Sequence, residues 1–370
     1  MILQTPSESK PSLWRAFRET AVRRLFLDRD TDFWLRELNP AWSLAESRAR
    51  VVEVIDETPT AKTFVLEPSR RWRGFRPGQY VTIEVEIDGV RVRRCYSIST
   101  AAESGRTFTI TVKRVPDGRV SSWLHEHLCA GHVLTIGPAM GDFVLPDPAP
   151  SQLLFVTGGS GITPVMSMLL DRATRGELGD AVLVHYARTR EDVIFSGRLE
   201  ALAARHPGFR LVLLLDDDPS RTQLFSEAEL REIVPDLASR ETFLCGPSGL
   251  MERVEEMWRE EGLEARLHQE RFVAATTPAF VDGGAADVRV TLVRAGKTFA
   301  SDGRGSLLEQ AERAGARPAY GCRMGICQTC KCRKRSGTVQ NVLTGEVSAE
   351  PDEDIQLCIS VPRSNVEIDV

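Results

Sequence analysis

The spacing of apolar and polar positions changes character along the chain. Between residues 49 and 146, short β-rich runs alternate with turn residues: "ARVVEVIDE", "KTFVLEP", "QYVTIEVEI", "RVRRCYSIS", "RTFTITVKRV" and "HVLTIGPAMGDFVL". Strands of this length joined by short turns predict a small antiparallel β-barrel, interrupted by one helix at about 119–128. From 151 to 270, apolar strand runs ("LLFVTG", "AVLVHYA", "FRLVLLL", "TFLCG", "LEARLHQE") alternate with helical stretches from 163, near 195–205 and from 248, and with a short helix before "TFLCG". That rhythm predicts parallel strands joined by right-handed crossovers, a doubly wound sheet that takes ligands at the carboxyl ends of its strands. The stretch 273–286, "VAATTPAFVDGGAA", reads as a linker. A third unit follows, with a hairpin "VRVTLVRAGKTFASD", a helix "SLLEQAERAG", a cysteine loop and a last strand "NVEIDV". Ahead of the barrel, Leu13, Phe17, Ala21 and Leu25 recur every four residues and predict an amphipathic helix. The expected units are therefore 1–45, 46–148, 149–272, a linker 273–286, and 287–370.

Composition narrows the function classes. A chain of 370 residues with 42% hydrophobic and 27% charged residues and a net charge of -5 is globular and long enough for two or three domains. Nothing in it calls for a nucleic-acid partner. No run reaches the roughly 18 apolar residues of a membrane span, and "MILQTPSESK" lacks the apolar core of a secretory signal, so a cytoplasmic location is expected. The polar face of the first helix carries Arg15, Arg18, Arg23 and Arg24. It predicts a peripheral contact through residues 11–27 with the inner face of a membrane or a membrane-bound partner, packing on its own protein being the plainer alternative.

Half of the 8 cysteines fall in "YGCRMGICQTCKC". Cys322, Cys327 and Cys330, with Cys358 in "DIQLCIS", have the C-x4-C-x2-C…C spacing of a plant-type 2Fe-2S cluster. Zinc is the competitor, but zinc sites usually show two C-x2-C knuckles and this chain has one. Cys332 is surplus, and its basic neighbours place it on a strand leaving the loop. Such cysteine use fits a reducing compartment.

Three further stretches carry chemistry. In "RCYS", Arg94 and Tyr96 share a strand face and can hold a phosphate while Ser97 reaches a ring nitrogen. In "GRVSS", Gly118 and Ser121 lie where a helix begins and its free amides suit a pyrophosphate, although Ser121 is equally an ordinary N-cap. "VTGGSGITP" is a glycine-rich strand-to-helix turn that departs from G-x-G-x-x-G, and "LCGPSGLM" puts Cys245 and Gly246 at the carboxyl end of a late strand.

In this order the motifs resemble ferredoxin-NADP reductase-like flavoproteins with a fused C-terminal plant-type ferredoxin domain, over about residues 46–370. The resemblance implies a flavin-binding barrel, a nucleotide-binding sheet and a β-grasp-like ferredoxin domain. It implies that Arg94, Cys95, Tyr96, Ser97, Val112 and Lys113 bind FAD, with Gly118, Val120 and Ser121 on its pyrophosphate. Gly159, Thr163, Cys245, Gly246 and Pro247 would face NADPH or NADH, and "HQERF" supplies Glu270 and Phe272 beside the flavin. Ser97, Cys245 and Glu270 are the catalytic candidates. Arg188 and Arg190 in "YARTREDVIF" favour the 2′-phosphate of NADPH, whereas Asp192 would accept a ribose hydroxyl.

The implied activity is electron transfer from NAD(P)H through FAD to the cluster, and on to a terminal oxygenase or a membrane-bound desaturase or hydroxylase. A flavin is needed because a nicotinamide yields a hydride while a 2Fe-2S cluster takes one electron. Arg323, Lys331, Arg333, Lys334 and Arg335 around the cluster predict an acidic or membrane-bound acceptor. A soluble multicomponent oxygenase is the alternative acceptor. A lone electron carrier or sensor would have no use for "RCYS" and "GGSGITP". A complete oxygenase would need iron ligands that 6 histidines, with only His125 and His127 closely spaced, do not provide.

Overall fold

The computed structural model describes residues 46–87, 89–102, 105–116, 118–219, 225–272, 284–320 and 330–370, with Ser43, Gly325 and Gln328. The expected N-terminal helix, most of the linker, and Cys322 and Cys327 lie outside the described residues.

The first sheet contains β1 (Ser47–Thr58), β2 (Ala61–Pro68), β3 (Tyr80–Ile87), β4 (Val90–Ser97), β5 (Phe108–Lys113) and β6 (Val133–Met140). They pair antiparallel in the order β4-β3-β6-β1-β2-β5, and an Ile98–Ile110 bridge joins the two edges into a barrel. Period-two alternation decides which side faces in: Phe108, Ile110 and Val112 of β5 enter the core, so Thr109, Thr111 and Lys113 face out. Helix α1 (Arg119–His127) plugs the barrel with Val120 and Leu124.

The second sheet is parallel, made of β7 (Gln152–Gly158), β8 (Asp180–Ala187), β9 (Phe209–Leu215), β10 (Glu241–Cys245) and β11 (Leu267–Glu270). Its order is β11-β10-β7-β8-β9. The chain leaves β7 to one side and returns to the other at β10, which opens a crevice at the carboxyl ends of these two strands. Helices α2 (Ile162–Thr174) and α3 (Ser196–Arg205) cover one face, and α4 (Glu227–Ile233) and α5 (Ser248–Glu260) the other. Burial on both faces explains the unbroken apolar runs of β7 and β8.

Barrel and sheet share packing. Ala61 and Phe143 of the barrel region belong to the cluster under α2 and α3. Ser167 Oγ of α2 donates to Thr100 O at 2.5 Å, and Asp171 Oδ1 accepts from the Ala102 N–H at 3.2 Å. The helix that follows the glycine turn is thus fastened to the loop that follows "RCYS".

The third unit is a mixed sheet of β12 (Ala286–Leu292), β13 (Lys297–Asp302), β14 (Lys331–Ser336), β17 (Glu353–Gln356) and β19 (Val366–Ile368). A small sheet of β15 (Val339–Asn341), β16 (Val347–Ser348) and β18 (Ser360–Pro362) lies beside it, and α6 (Leu307–Arg313) packs on the shared core with a Ser306/Glu309 capping box. Lys334, in β14, is fully buried, its Nζ donating to Gly337 O (2.8 Å), Ser348 O (3.1 Å) and Glu350 O (2.7 Å). Three acceptors satisfy all three protons of the ammonium group.

The crevice depends on glycine. A Cβ on Gly161 would lie 2.0 Å from Cys245 O, and one on Gly158 2.7 Å from Pro247 Cδ. Gly161→Ala is expected to cost about 1–3 kcal/mol through overpacking, read as a lower urea midpoint. Gly197→Ala, where a Cβ meets nothing within 4 Å, should leave the midpoint unchanged or raise it.

Candidate active site

Two cavities meet where the barrel faces the crevice. The first, of about 500 Å³, is lined by Arg94, Cys95, Tyr96 and Ser97 of β4, Thr111 and Lys113 of β5, and Gly118, Val120 and Ser121 at the start of α1. Ser160 and Thr163 of the glycine turn, with Glu270 and Phe272 beyond β11, close it from the sheet side. Five stretches of the sequence therefore converge. Val112 does not line the cavity: strand alternation turns its side chain into the barrel core, and its carbonyl lies 2.8 Å from His125 Nε2.

The second cavity, of about 540 Å³, is lined by Gly158, Gly159, Pro247, Gly249 and Leu250 around the crevice, and by Tyr186, Ala187, Arg188, Asp192, Asp216, Phe225 and Arg253. Lys113 lines both cavities. Gly159 has φ 53°, the left-handed region that suits glycine. A Cβ there would sit 3.6 Å from Lys113 Nζ, so the ammonium lies over the turn. Arg188 pairs with Asp192 at 3.0 Å. Arg190 does not reach this cavity and instead pairs with Glu200 on α3.

In the third unit Cys330 and Cys358 are buried with their Sγ atoms 3.2 Å apart, well beyond a disulfide bond. The Gly325 N–H donates to Cys358 Sγ at 3.3 Å, and Gln356 Nε2 donates to Gly325 O at 2.7 Å. Cys332, on β14, is half-buried.

Three family models match in order: an oxidoreductase FAD-binding domain over 49–144, an oxidoreductase NAD-binding domain over 155–256, and a 2Fe-2S iron-sulfur cluster binding domain over 290–363. An NADPH oxidoreductase of Mycobacterium tuberculosis is 38% identical over 362 residues, covering 96% of this chain and 93% of that protein. A glycine betaine monooxygenase reductase subunit of Chromohalobacter salexigens is 34% identical over 356 residues, covering 89% and 96%. Phthalate dioxygenase reductase, at 24% identity, shares the fold with a TM-score of 0.61 over 87% of this chain and 97% of that one. The chain belongs to the ferredoxin-NADP reductase-like flavoproteins that carry a fused 2Fe-2S domain.

This reductase is an oxidoreductase that uses NAD(P)H, FAD and a 2Fe-2S cluster, and its cavities fit those groups. At the start of α1, Gly118 provides no side-chain cap and no acidic residue occupies the first turn, an arrangement that suits a phosphate. Ser121 is not the N-cap: its Oγ accepts from the Val115 N–H and donates to Gly118 O, both at 3.2 Å, closing the turn. The paired thiols, with a backbone amide aimed at one of them, suit a thiolate cluster.

Burial sets the electrostatics. Desolvation raises the Tyr96 phenol against the opposing pull of Arg94. Cys245 is fully buried, and burial, then the charge of Glu270, pushes its thiol up. Cys245 and Glu270 are register partners on β10 and β11. Burial raises the Glu270 carboxyl to about 8, opposed by a hydrogen bond with Ser97, and its Oε2 is closed off from solvent without a hydrogen-bond partner. Glu270, the one carboxyl lining the first cavity, is therefore pushed toward its protonated form at neutral pH, beside the cations Arg94, Lys113 and Arg119. Lys113, which lines both cavities, is lowered by burial and then by Arg188, with Asp192 opposing.

Tyr80, Thr111, Asp216, Phe225 and Arg253 line these cavities and were not marked by the sequence motifs. Strand alternation from Tyr96 and Lys113 could have found Thr111. Nothing local marks Arg253, a helix-surface cation like many others.

Among the described residues the cations near the cluster are paired or buried rather than forming an open basic patch, which corrects the expectation for Lys331, Arg333, Lys334 and Arg335; Arg323 lies outside the described residues. Lys331 pairs with Asp354 (3.2 Å), Arg333 with Asp354 (3.6 Å) and Asp352 (3.8 Å), and Arg335 with Asp369 (2.9 Å), while Lys334 is buried.

Glu270 predicts a pH dependence of stability. Its folded value of about 8 lies above the ordinary 4.5, so between these values the folded state binds the extra proton and stability falls as pH rises. The slope is at most about 1.4 kcal/mol per pH unit for one proton. Thermal melts from pH 5 to pH 9 should show Glu270→Gln gaining on the wild type toward pH 8 and losing that advantage toward pH 5.

Proposed function

We propose that Arg94, Cys95, Tyr96 and Ser97 hold the flavin, with Gly118, Val120 and Ser121 at its pyrophosphate and Phe272 against its ring. Gly159, Thr163, Gly246 and Pro247 receive the nicotinamide nucleotide, and Arg188 and Arg253 supply counter-charges for a 2′-phosphate. The observation that carries this reading is the junction of the two cavities at Lys113 and the glycine turn, which makes neighbours of the groups they hold. The four thiolates of Cys322, Cys327, Cys330 and Cys358 hold the cluster. When bound, FAD accepts a hydride from the nucleotide and returns electrons singly, the unit a 2Fe-2S cluster takes.

The chain itself contributes placement and proton control. Arg94 and the α1 amides fix the phosphates, so orientation is settled before reaction. Ser97 and Glu270 form a proton-holding couple at the cavity wall, with the proton on Glu270 and the Ser97 hydroxyl as its hydrogen-bond neighbour. Cys245 lines neither cavity and stays a buried neutral thiol beside Glu270, and Phe272 keeps water from the wall.

The acceptor we propose is a terminal oxygenase, supported by the relative named as a glycine betaine monooxygenase reductase subunit. NADPH is the preferred donor in this reading, supported by the relative named NADPH oxidoreductase and by the two guanidiniums lining the nucleotide cavity. No helix among the described residues is long and apolar enough to cross a membrane. The arginine-faced stripe of residues 11–27 supports a peripheral contact at the inner membrane face, with the rest of the chain in the cytoplasm.

Absorbance spectra of the purified protein test the reading. Flavin and cluster bands should both bleach on anaerobic addition of NADPH, and Cys358→Ser should lose the cluster bands while its flavin still bleaches. Arg188→Gln should raise KM for NADPH about tenfold and leave NADH unaffected, as loss of one charge-assisted contact implies. A colourless protein containing zinc would sink the assignment.

A further inference from the structure

The seam between barrel and nucleotide-binding sheet contains a polar chain that neither cavity requires. On the outer face of β2 and β5, Thr63 and the adjacent Ser99 are fully buried and Thr111 nearly so. Their hydroxyls touch in series. Thr109 Oγ1 lies 2.8 Å from Ser99 Oγ, Ser99 Oγ 3.0 Å from Thr111 Oγ1, and Thr111 Oγ1 2.7 Å from Thr63 Oγ1. Thr63 donates to Glu57 Oε1 of β1 at 2.7 Å, and the same carboxylate oxygen accepts from Arg198 Nη2 of α3. Arg198 in turn lies 4.3 Å over the ring of Phe195, which holds φ at 66°, a left-handed conformation uncommon for an aromatic residue.

Hydroxyl valence gives this chain a direction. A carboxylate only accepts, and each hydroxyl has one proton to donate. Thr63 commits its proton to Glu57, so Thr111 must donate to Thr63, while the one proton of Ser99 goes either to Thr111 or to Thr109 O at 3.3 Å. Thr111 lines the flavin cavity. With its proton committed inward, it can offer that cavity only a lone pair. At the other end, Arg198 belongs to the helix that follows the loop bearing Arg188 and Asp192, which line the nucleotide cavity.

We propose that Glu57 and Arg198 are positioning residues: through the chain Thr63–Thr111–Ser99–Thr109, their ion pair fastens the barrel to α3 and holds Thr111 as an acceptor toward the flavin. The proposal rests on the flavin reading of the first cavity. It links the walls of both cavities through one contact, so loosening that contact disturbs the approach of nucleotide to flavin without removing any group that touches either. Misplacement of reacting groups by about 1 Å is enough to slow a transfer roughly a hundredfold.

The test uses the holoenzyme. Glu57→Gln keeps the side-chain size but can donate, which frees Thr63 to turn and releases the Thr111 proton toward the cavity. Arg198→Met removes the charge, and Arg198→Lys retains it. Anaerobic stopped-flow absorbance gives the limiting rate and half-saturating NADPH concentration for flavin bleaching, and the oxidised spectrum reports the surroundings of the ring. With flavin content unchanged, Glu57→Gln and Arg198→Met are expected to lower the limiting rate roughly tenfold or more, and Arg198→Lys to restore it to within about threefold. The double variant Glu57→Gln/Arg198→Met should be no slower than the worse single one, since both break the same contact. Glu57→Gln alone should also shift the flavin absorption bands.

Wild-type rates in Glu57→Gln and Arg198→Met would overturn the proposal. So would an Arg198→Lys variant as slow as Arg198→Met, or slowing that only tracks lost flavin. A wild-type enzyme whose absorbance does not bleach with NADPH would instead overturn the flavin reading itself.

Discussion

The arrangement depends on one close approach of backbone to backbone. At the carboxyl ends of β7 and β10, the glycine turn and the Cys245–Pro247 segment lie so near each other that a single methyl group on Gly161 would overlap Cys245 O. Side chains there would separate the strands and fill the crevice. With none, the peptide groups of the turn stay accessible, and the start of α2 faces the space where a phosphate-bearing ligand belongs. The helix so positioned then binds the barrel through Ser167 and Asp171, so the same contact that opens the nucleotide cavity also sets the sheet side of the flavin cavity.

Both cavities gather cations, and they differ in the carboxyl groups set against them. The second has three cations, Lys113, Arg188 and Arg253, against two carboxylates, Asp192 and Asp216, so it keeps a positive excess for an anionic nucleotide. The first also gathers three cations, Arg94, Lys113 and Arg119, and its one lining carboxyl, Glu270, is pushed toward its neutral form by desolvation, with the buried Cys245 behind it. Lys113 stands between them with its own charge weakened by burial.

Legibility in the sequence followed the range of the interaction involved. The barrel and parallel sheet were readable because period-two alternation and buried apolar runs are local consequences of one-sided and two-sided burial. Residues of "RCYS", "GRVSS" and "GGSGITP" do line the two cavities, and they stood out in the sequence because glycine-rich turns and a cation beside an aromatic are restricted residue types. Strands β15 to β18 were not, because they are short and polar, and although a strand was expected at Cys332, "KCRKRS" looks like a solvated run, yet Lys334 is a core residue, held by three later carbonyls and by Glu353 at 3.5 Å. Arg190 illustrates the converse. Its position in the chain matched a phosphate-reading role, but the helix behind it presents Glu200, and the ion pair turns it aside.

The same distinction governs the surface near the cluster. Counting cations along "KCRKRS" gives a strongly basic strand, because sequence places like charges together and hides the strands that pair with them. Folding brings Asp354 of β17 and the carboxylate of Asp369 after β19 alongside, so Lys331, Arg333 and Arg335 each meet a partner, and Lys334 leaves the surface altogether. Half-exposed pairs of this kind add little stability, but they cancel the long-range field that steers an acidic partner. Among the described residues, recognition of an electron acceptor at this face therefore falls to shape and local contact rather than to net charge.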